Sequence, residues 1–515
     1  MHALTDFMKR RPIVFASLLL ILILASYFRL WRLNEAFHFM GDQGRDALIV
    51  SRIFTQNDLV FVGPVMSVGN IYLGPLYYYF MLPFLMLSYP SPVGPVYAVA
   101  IANILAVFFL FQLGKKLVGE RASLFAAAMM AVSVIAIVHS RFSWNPNIIP
   151  LVSIFLVVSS YYALIKNPKY WIVVAACLGL IVQLHYVTLL SGAAAGVLYI
   201  YDLFKHQKVK KDVYNRVIVG VSGLVVIGAL LSPLILFDMR HDWLNVKALQ
   251  SLATDEKNFV QADQSFGNKI GAIGENLVDR SSLILFDKVV GKNEILNPIL
   301  ILIVLVILVL SMMITHQKKK DISGISVLMV FLIVGIVGFS FYEKDMYDHY
   351  IAYLFPLTFL VLGYCLDRLV RVNMLGWIAV IVFFVAFAKY NLPRIEFKSG
   401  GPTQEELQIA AESIHSRVAA NEPYAIVLLS ESKDSYGMNY RYFLNTVPEK
   451  KPVDPDRNGE AQKLFIINEE RKTDRPQDAE IYEIVTFGQA EPSEVYTLPQ
   501  GIPVAVLEKN RTTTP

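Results

Sequence analysis

Apolar runs of about twenty residues recur along this chain as far as residue 390. An α-helix rises 1.5 Å per residue, so a run of this length crosses the ~30 Å hydrocarbon core of a bilayer. We predict eleven spans, at 13–31, 96–113, 122–139, 148–165, 170–186, 188–204, 216–237, 295–315, 322–341, 349–367 and 373–390. With 55% hydrophobic and 17% charged residues, the composition excludes an ordinary soluble protein and indicates a polytopic α-helical membrane protein.

Lysines and arginines are concentrated in alternate loops between these spans. They are Lys9, Arg10, Arg11, Lys115, Lys116, Arg121, Lys166, Lys169, Lys205, Lys208, Lys210, Lys211, Lys318, Lys319, Lys320, Arg368 and Arg371. Short loops of this kind stay cytoplasmic, so we predict a cytoplasmic N-terminus and an extracytoplasmic C-terminus. The first span is followed by no clear small-residue cleavage site, which indicates a retained signal anchor. Because the basic residues lie mostly in these loops, the net charge of +4 indicates how the chain is oriented in the membrane and does not indicate nucleic-acid binding.

One apolar segment, 74–89, does not count as a span. Its sixteen residues reach only ~24 Å, and Pro83 interrupts them. We predict a helix lying in the outer interface, with its tyrosines at the level of the headgroups. Residues 32–95 then form one long outer loop, and 238–294 form a second.

The chain becomes polar after residue 390. We therefore predict a transmembrane domain over 1–390 and a small extracytoplasmic α/β domain over 391–515. Its predicted elements are an amphipathic helix at 405–418 and strands at 425–429, 464–467, 484–487 and 504–507. No glycine-rich phosphate motif follows a strand, so we expect this domain to cover an outer cavity or to meet an acceptor.

The first outer loop carries a charged stretch at 37–52, FHFMGDQGRDALIVSR. Asp42 and Asp46 are four residues apart and share one face of a helix, with Arg45 beside that face and Gln43 between them. Two carboxylates and a guanidinium indicate acid/base or phosphate chemistry. The alternative is that these charges only solvate a loop between spans.

Further polar groups occur at predicted outer helix ends. They are Arg141, Trp144, Asn145, Asn147, His185, Tyr186, Arg240, His241, Asp348, His349 and Tyr350. For each residue alone, helix capping or interfacial anchoring is the simpler explanation. Because several such groups share one face of the membrane, we predict that they converge on one cavity with Asp42.

Four motifs resemble those of the C-type glycosyltransferases: GDQGRDA at 41–47, GPLYYY at 74–79, RFSWNPN at 141–147 and HY at 349–350. The resemblance is strongest to the bacterial branch related to protein O-mannosyltransferases and lipid A aminoarabinose transferases. Asp42 matches the aspartate of the family's Asp-Glu pair, whereas Gln43 stands at the place of the glutamate. Whether Asp46 replaces that second carboxylate stays open. Gly74 likewise replaces the first proline of a Pro-Pro-Leu element that precedes Tyr77.

The resemblance implies an inverting transfer of a hexosyl or pentosyl group. The sugar passes from a polyprenyl phosphate to a hydroxyl of a lipid, glycan or protein, at the outer face of the bacterial inner (plasma) membrane. Asp42 is the expected base. Donor-site candidates are Gln43, Arg45, Tyr77, Arg141, Trp144, Asn145, Asn147, His185, Tyr186, Arg240, His241, Asp348, His349 and Tyr350. A divalent cation, Mg²⁺ or Mn²⁺, between Asp42 and Asp46 is the one cofactor considered.

Two other functions compete with this interpretation. A lipid or polysaccharide transporter, or a flippase, would also place polar groups within the membrane. Against it, few charges lie in the middle of the spans, and the hydropathy pattern has no inverted repeat. The other competing function is that of an envelope binding or assembly protein that uses its C-terminal domain, and no sequence motif supports it.

Overall fold

The computed structural model describes residues 11–66, 71–254, 266–317, 322–398, 400–431, 434–471, 473–488 and 490–509. Of the basic residues used to predict orientation, Lys9, Arg10 and Lys318 to Lys320 lie outside these ranges. The chain forms two compact units. The span unit comprises Met1–Trp31, Val60–Tyr77 and Tyr97–Glu396, and the domain unit comprises Arg32–Leu59, Tyr78–Val96 and Phe397–Pro515. Much of the predicted first outer loop thus groups with the C-terminal residues.

Every predicted span contains a helix. These helices are Pro12–Leu30, Val93–Leu117, Glu120–Val132, Val134–His139, Ile149–Ile165, Tyr170–Leu184, Leu189–Lys205, Lys210–Leu230, Ser232–Arg240, Leu296–Gln317, Gly324–Ser340, Phe355–Val370 and Met374–Asn391. Within the described part of the chain, six helical segments are long and apolar enough to cross a membrane, and shorter apolar helices accompany them. The predicted polytopic helical fold is confirmed; its orientation stays a prediction.

The span predicted at 122–139 is two helices because Ser133 is extended, with φ −65° and ψ 124°. The break frees backbone groups that other helices satisfy. Arg29 is fully buried and donates hydrogen bonds to the carbonyl oxygens of Ala131 and Met130, both at 2.9 Å. The Val134 N–H donates to a side-chain oxygen of Asn391 at 2.8 Å. Hydropathy alone does not detect such an interruption, since the residues on both sides are apolar.

The loops between the spans also contain helices. They are Leu33–Ala36, Gly41–Thr55, Leu76–Ser88, Leu244–Thr254, Phe266–Ser282, a π-turn at Leu283–Asp287, Lys288–Val290, and 3₁₀ turns at Asn145–Ile148, Tyr186–Thr188, Asp348–Ile351 and Leu392–Arg394. Leu76–Ser88 is the helix predicted in the interface, and it contains Pro83.

The C-terminal residues form a four-stranded sheet in the order β1-β2-β4-β3. Strands β1 (Tyr424–Leu429) and β2 (Lys463–Asn468) are parallel, whereas β4 (Pro503–Glu508) runs antiparallel to both β2 and β3 (Glu494–Thr497). The domain also contains helices Gln404–His415, Met438–Leu444 and Tyr482–Phe487 and 3₁₀ turns Pro448–Lys450, Pro455–Glu460 and Pro476–Asp478. The helix predicted at 405–418 begins with a capping box between Thr403 and Glu406.

The strand predicted at 484–487 is wrong, because Tyr482–Phe487 is a helix. Ile484 and Phe487, three residues apart, are both buried against the sheet, whereas Val485 is 54% exposed. This spacing belongs to one face of a helix, not to a strand. The remaining strand, β3, was not predicted, because its residues are mostly exposed and polar.

Candidate active site

The charged stretch folds as predicted into a helix, Gly41–Thr55, which we call the motif helix. Asp42 lies in its first turn, and Asp46 lies one turn later. Arg45 donates from Nη1 to Asp42 Oδ1 at 2.9 Å, and from Nε and Nη2 to Asp46 Oδ1 at 2.9 and 2.8 Å. One guanidinium therefore joins the two carboxylates.

The two carboxylates differ sharply in exposure. The Asp46 side chain is 1% exposed, whereas that of Asp42 is 51% exposed. Asp46 also accepts a hydrogen bond from the Tyr78 hydroxyl at 3.2 Å. Burial raises the pKa of Asp46, and the Arg45 guanidinium opposes that rise. Asp46 thus holds Arg45 in place, while Asp42 is the carboxylate that a water-borne hydroxyl can reach.

Gln43 is buried on the same helix, with 2% exposure. Neither Nε2 nor Oε1 of its amide has a hydrogen-bond partner among the described residues. A buried polar group without a partner costs about 1–3 kcal/mol, and native proteins rarely tolerate one without a reason. Gln43 and Asp46, whose Oδ2 also has no hydrogen-bond partner among the described residues, are therefore the buried groups of this helix with hydrogen-bonding capacity left for a ligand.

Gly44 allows the motif helix to pack closely against helix Met438–Leu444. A Cβ atom on Gly44 would lie 2.5 Å from the Asn439 backbone nitrogen and also collide with the Met438 carbonyl oxygen. The Asn439 side chain in turn donates to the Phe39 carbonyl oxygen at 3.3 Å. Sequence reasoning missed this pairing because the partners lie about 400 residues apart.

A cavity of about 590 Å³ opens beside the start of the motif helix. Its wall includes Met40 and Gly41 together with residues that follow β1 and β2. The lining is rich in carboxylates: Glu406, Glu431, Asp434, Glu469 and Glu470. Burial raises the pKa of Asp434, which packs against Gly41. The sequence held one signal for this cavity: acidic residues directly follow two strands. Because the carboxyl ends of parallel strands share one edge of a sheet, such residues lie close together.

In the span unit, three of the predicted segments meet. The His349 ring lies 4.6 Å from the Trp144 ring and 5.3 Å from the His185 ring, measured between centroids. Tyr350 lies 5.4 Å from His185, and Tyr347, which sequence reasoning missed, stacks on His349 at 5.7 Å. We call these five residues the histidine cluster. Each segment lies at or beside a 3₁₀ turn before a span helix, which explains why they come together at one end of the bundle.

Other predicted residues bind the polypeptide itself. Arg141 donates to the carbonyl oxygens of residues 28, 29 and 31 at 3.0, 3.3 and 3.1 Å. Asn145 donates to the carbonyl oxygen of residue 184 at 2.5 Å, and Asn147 to that of residue 142 at 3.0 Å. The Tyr77 hydroxyl pairs with the Ser143 hydroxyl at 2.7 Å. These bonds fix the segments that carry the histidine cluster.

The remaining candidates lie at other contacts. Tyr186 donates its hydroxyl proton to the Tyr72 carbonyl oxygen. Asp348 forms an ion pair with Lys288 at 2.7 Å. His241 stacks on Phe237 with centroids 4.1 Å apart, and Arg240, at the end of helix Ser232–Arg240, is exposed. Their contacts with a donor, and the single cavity predicted with Asp42, stay predictions.

The chain is similar to known proteins in part of its sequence and in its fold. Residues 73–237 match the model of the dolichyl-phosphate-mannose-protein mannosyltransferase family. The chain superimposes on ArnT from Cupriavidus metallidurans, determined bound to undecaprenyl phosphate, with a TM-score of 0.55, 12% identity, and coverage of 95% of this chain and 97% of that one. The protein has the C-type glycosyltransferase fold. No curated protein sequence matches it.

The oligosaccharyltransferase AglB from Archaeoglobus fulgidus shares this C-type fold. Its complex with an inhibitory peptide and a dolichol-phosphate matches with a TM-score of 0.53 and 10% identity, over 99% of this chain and 75% of that one. A structure of the Archaeoglobus fulgidus oligosaccharyltransferase tethered to an acceptor peptide gives a TM-score of 0.56, 10% identity, and coverage of 98% of this chain and 75% of that one. The predicted resemblance to the C-type glycosyltransferases is confirmed.

The divalent cation considered between Asp42 and Asp46 stays a prediction. Among the described residues, no group of three or more His, Cys, Asp or Glu side chains is arranged to hold one. The Arg45 guanidinium already bridges Asp42 and Asp46. A cation between these carboxylates would have to displace it, so the residues as arranged do not fit a bound metal.

Proposed function

We propose that the protein is an inverting glycosyltransferase that moves a hexosyl or pentosyl group from a polyprenyl-phosphate donor to an acceptor hydroxyl at the outer face of the membrane. The observation that carries this proposal is the contrast between the accessible Asp42 and the buried Asp46 on one helix turn. The shared C-type fold, and the prenyl phosphates bound in the ArnT and AglB structures, support it.

Asp42 acts as the general base in this proposal. Its carboxylate takes the proton from the acceptor hydroxyl, whose oxygen attacks the anomeric carbon from the face opposite the phosphate. The bond between the anomeric carbon and the phosphate oxygen breaks, and the prenyl phosphate leaves with the electron pair. Arg45 is held by Asp46, which in turn accepts a hydrogen bond from Tyr78, and Arg45 fixes the orientation of the Asp42 carboxylate.

Gln43 binds the donor sugar. A sugar hydroxyl both donates and accepts hydrogen bonds, and an amide side chain offers one group of each kind. Both polar atoms of Gln43 are buried and have no partner among the described residues. Binding a hydroxyl would therefore remove the cost of an unsatisfied amide as well as position the anomeric carbon.

The histidine cluster recognises the donor through ring faces and imidazole N–H groups. Aromatic rings such as that of Trp144 present flat apolar faces to a sugar ring, and imidazoles donate hydrogen bonds to phosphate oxygens. The cavity beside Gly41 is assigned to the acceptor, because its wall includes the first residue of the motif helix, directly before Asp42.

The test uses the purified full-length protein and a panel of radiolabelled prenyl-phosphate sugars. We expect release of free prenyl phosphate and a labelled acceptor whose anomeric configuration, read by NMR, is the inverse of the donor's. Parallel reactions with a chelator, Mg²⁺ and Mn²⁺ test the metal. Movement of intact prenyl-phosphate sugars across a vesicle membrane, with no sugar transfer, would support the transporter instead and reject this proposal.

A further inference from the structure

A second cavity adjoins the cavity beside Gly41, which we call the first cavity. The second has a volume of about 640 Å³ and also lies in the domain unit. The two share three lining residues, Leu428, Ser430 and Glu470, which stand at or just after the ends of β1 and β2. These strands are parallel, so their carboxyl ends share one edge of the sheet. The two cavities therefore form one groove at that edge, beginning beside Gly41.

The wall of the second cavity is rich in hydroxyl groups. Five of its twelve described lining residues carry one: Ser430, Ser435, Tyr436, Thr473 and Tyr482. A hydroxyl both donates and accepts hydrogen bonds, as the hydroxyl groups of a sugar do. An acyl chain offers such groups no partner, so the lining favours a polyhydroxylated ligand over a lipid tail.

Glu483 gives this wall a buried carboxylate. The residue is only 4% exposed, and its carboxylate makes no hydrogen bond to another described residue. The nearby Arg441 guanidinium, which donates to the carbonyl oxygens of residues 426, 436 and 453, offsets part of its charge. A carboxylate accepts short, charge-assisted hydrogen bonds from hydroxyl groups. The second cavity thus contains a buried acceptor with hydrogen-bonding capacity left for a ligand.

Two exposed tyrosine rings line the same cavity. Tyr436 is 44% exposed and Tyr482 is 76% exposed. The Ser435 carbonyl oxygen accepts a hydrogen bond from the Leu428 N–H at 2.9 Å. The Tyr436 carbonyl oxygen accepts another from Arg441 Nε at 2.9 Å, so the backbone around this tyrosine is fixed. Tyr482 begins a helix whose buried face packs against the sheet. Rings held on rigid backbone present flat apolar faces to sugar rings at little entropic cost.

We propose that the groove binds a glycan chain of at least two sugars as the acceptor: the first cavity holds the accepting sugar, and the second holds the next sugar of the chain. This inference rests on the proposed function, which assigns the first cavity to the acceptor. The volume of each cavity falls within the range of a site for one small ligand, so the groove suits two adjoining sugars. An extended peptide pairs along the side of an edge strand, whereas this groove lies at strand ends, so the geometry favours a glycan over a peptide.

The test measures binding of the full-length protein in detergent to a panel of bacterial envelope glycans by surface plasmon resonance, each immobilised as the monosaccharide and as chains of two to four sugars. At about fivefold per tyrosine ring, we expect one glycan to bind on the order of 20-fold more tightly as a chain than as its monosaccharide. The double variant Tyr436→Leu/Tyr482→Leu should lose that difference. The matched control, Val485→Ala/Val495→Ala, changes two exposed residues of the same domain outside both cavities and should bind as the wild type does.

Three results would overturn the proposal: no glycan of the panel is bound, chains bind no more tightly than their monosaccharides, or both double variants lose binding equally. Sugar transfer to a peptide or lipid hydroxyl, with no glycan bound, would support the proposed function and overturn this inference alone. Chains bound through the two tyrosines, with no sugar transfer from any prenyl-phosphate donor, would refute the proposed function while supporting the glycan groove. Thermal unfolding of each variant separates weakened glycan binding from a damaged fold.

Discussion

The motif helix and the histidine cluster differ in the chemistry of their polar side chains. In the motif helix the polar groups are full charges that pair with one another through Arg45. In the histidine cluster they are mostly rings, and the polar residues around them bind backbone carbonyls. Charges are expensive at membrane depth, so a span unit favours neutral groups. In the proposed function, the motif helix supplies the base Asp42 and one donor contact, Gln43, whereas the histidine cluster serves donor recognition alone.

The largest expected effect concerns the motif helix and its charged side chains. Asp42→Asn keeps the shape of the side chain but removes the base, so we expect sugar transfer to fall about 10²–10⁴-fold, or ~3–5 kcal/mol of barrier. Donor binding and thermal unfolding should stay near those of the wild type, because the side chain is half exposed. Transfer rates, donor affinity and unfolding temperature of the purified variant check this. Near-normal turnover would remove Asp42 from the role of base.

Asp46→Asn should affect the fold more than the chemistry. The substitution leaves the partly buried Arg45 with one full carboxylate partner, and we expect a loss of about 2–3 kcal/mol in the stability of the domain unit. Transfer should fall only about tenfold at a temperature where the variant is folded. Hydrogen exchange in the motif helix measures the first effect. If Asp46→Asn abolished transfer in a fully folded protein, Asp46 would become the base.

Gly44→Ala tests whether the motif helix needs its contact with helix Met438–Leu444. The added Cβ would meet backbone atoms of residues 438 and 439, which cannot rotate away, so we expect a loss of about 1–2 kcal/mol. Limited proteolysis of the C-terminal residues would reveal the weakened packing. Gly192→Ala is the control, since a Cβ at Gly192 meets no atom within 4 Å. Equal resistance of both variants would show that the close approach is unimportant.

The smallest expected effect concerns the histidine cluster. Trp144→Leu removes one ring of the histidine cluster but leaves the neighbouring hydrogen bonds, so we expect KM for the donor to rise about fivefold, ~1 kcal/mol, with kcat little changed. Steady-state kinetics with the preferred prenyl-phosphate sugar separates the two constants. A fall in kcat with KM unchanged would place the histidine cluster in the chemical step and end the division of roles.

The amino-acid sequence predicts the apolar helices well because membrane thickness imposes a length that hydropathy detects. It also predicts the motif helix, since Asp42 and Asp46 have helical spacing. It does not predict the break at Ser133, because backbone groups there bind Arg29 and Asn391 from distant segments. Nor does it predict the pairing of Gly44 with Asn439, a tertiary contact that no local pattern encodes.

Arg29 has a consequence for how the chain is made. Its guanidinium binds the Ala131 carbonyl oxygen, which is synthesised 102 residues later. Until then, helix Pro12–Leu30 carries an unpaired charge that hydrocarbon does not solvate. Arg29 lies in the last turn of this helix, so its guanidinium has to reach interfacial water until the later spans emerge from the ribosome. We expect nascent chains that stop before the Glu120–Val132 helix to be degraded faster than longer ones, because Arg29 then lacks the carbonyl acceptors of Met130 and Ala131.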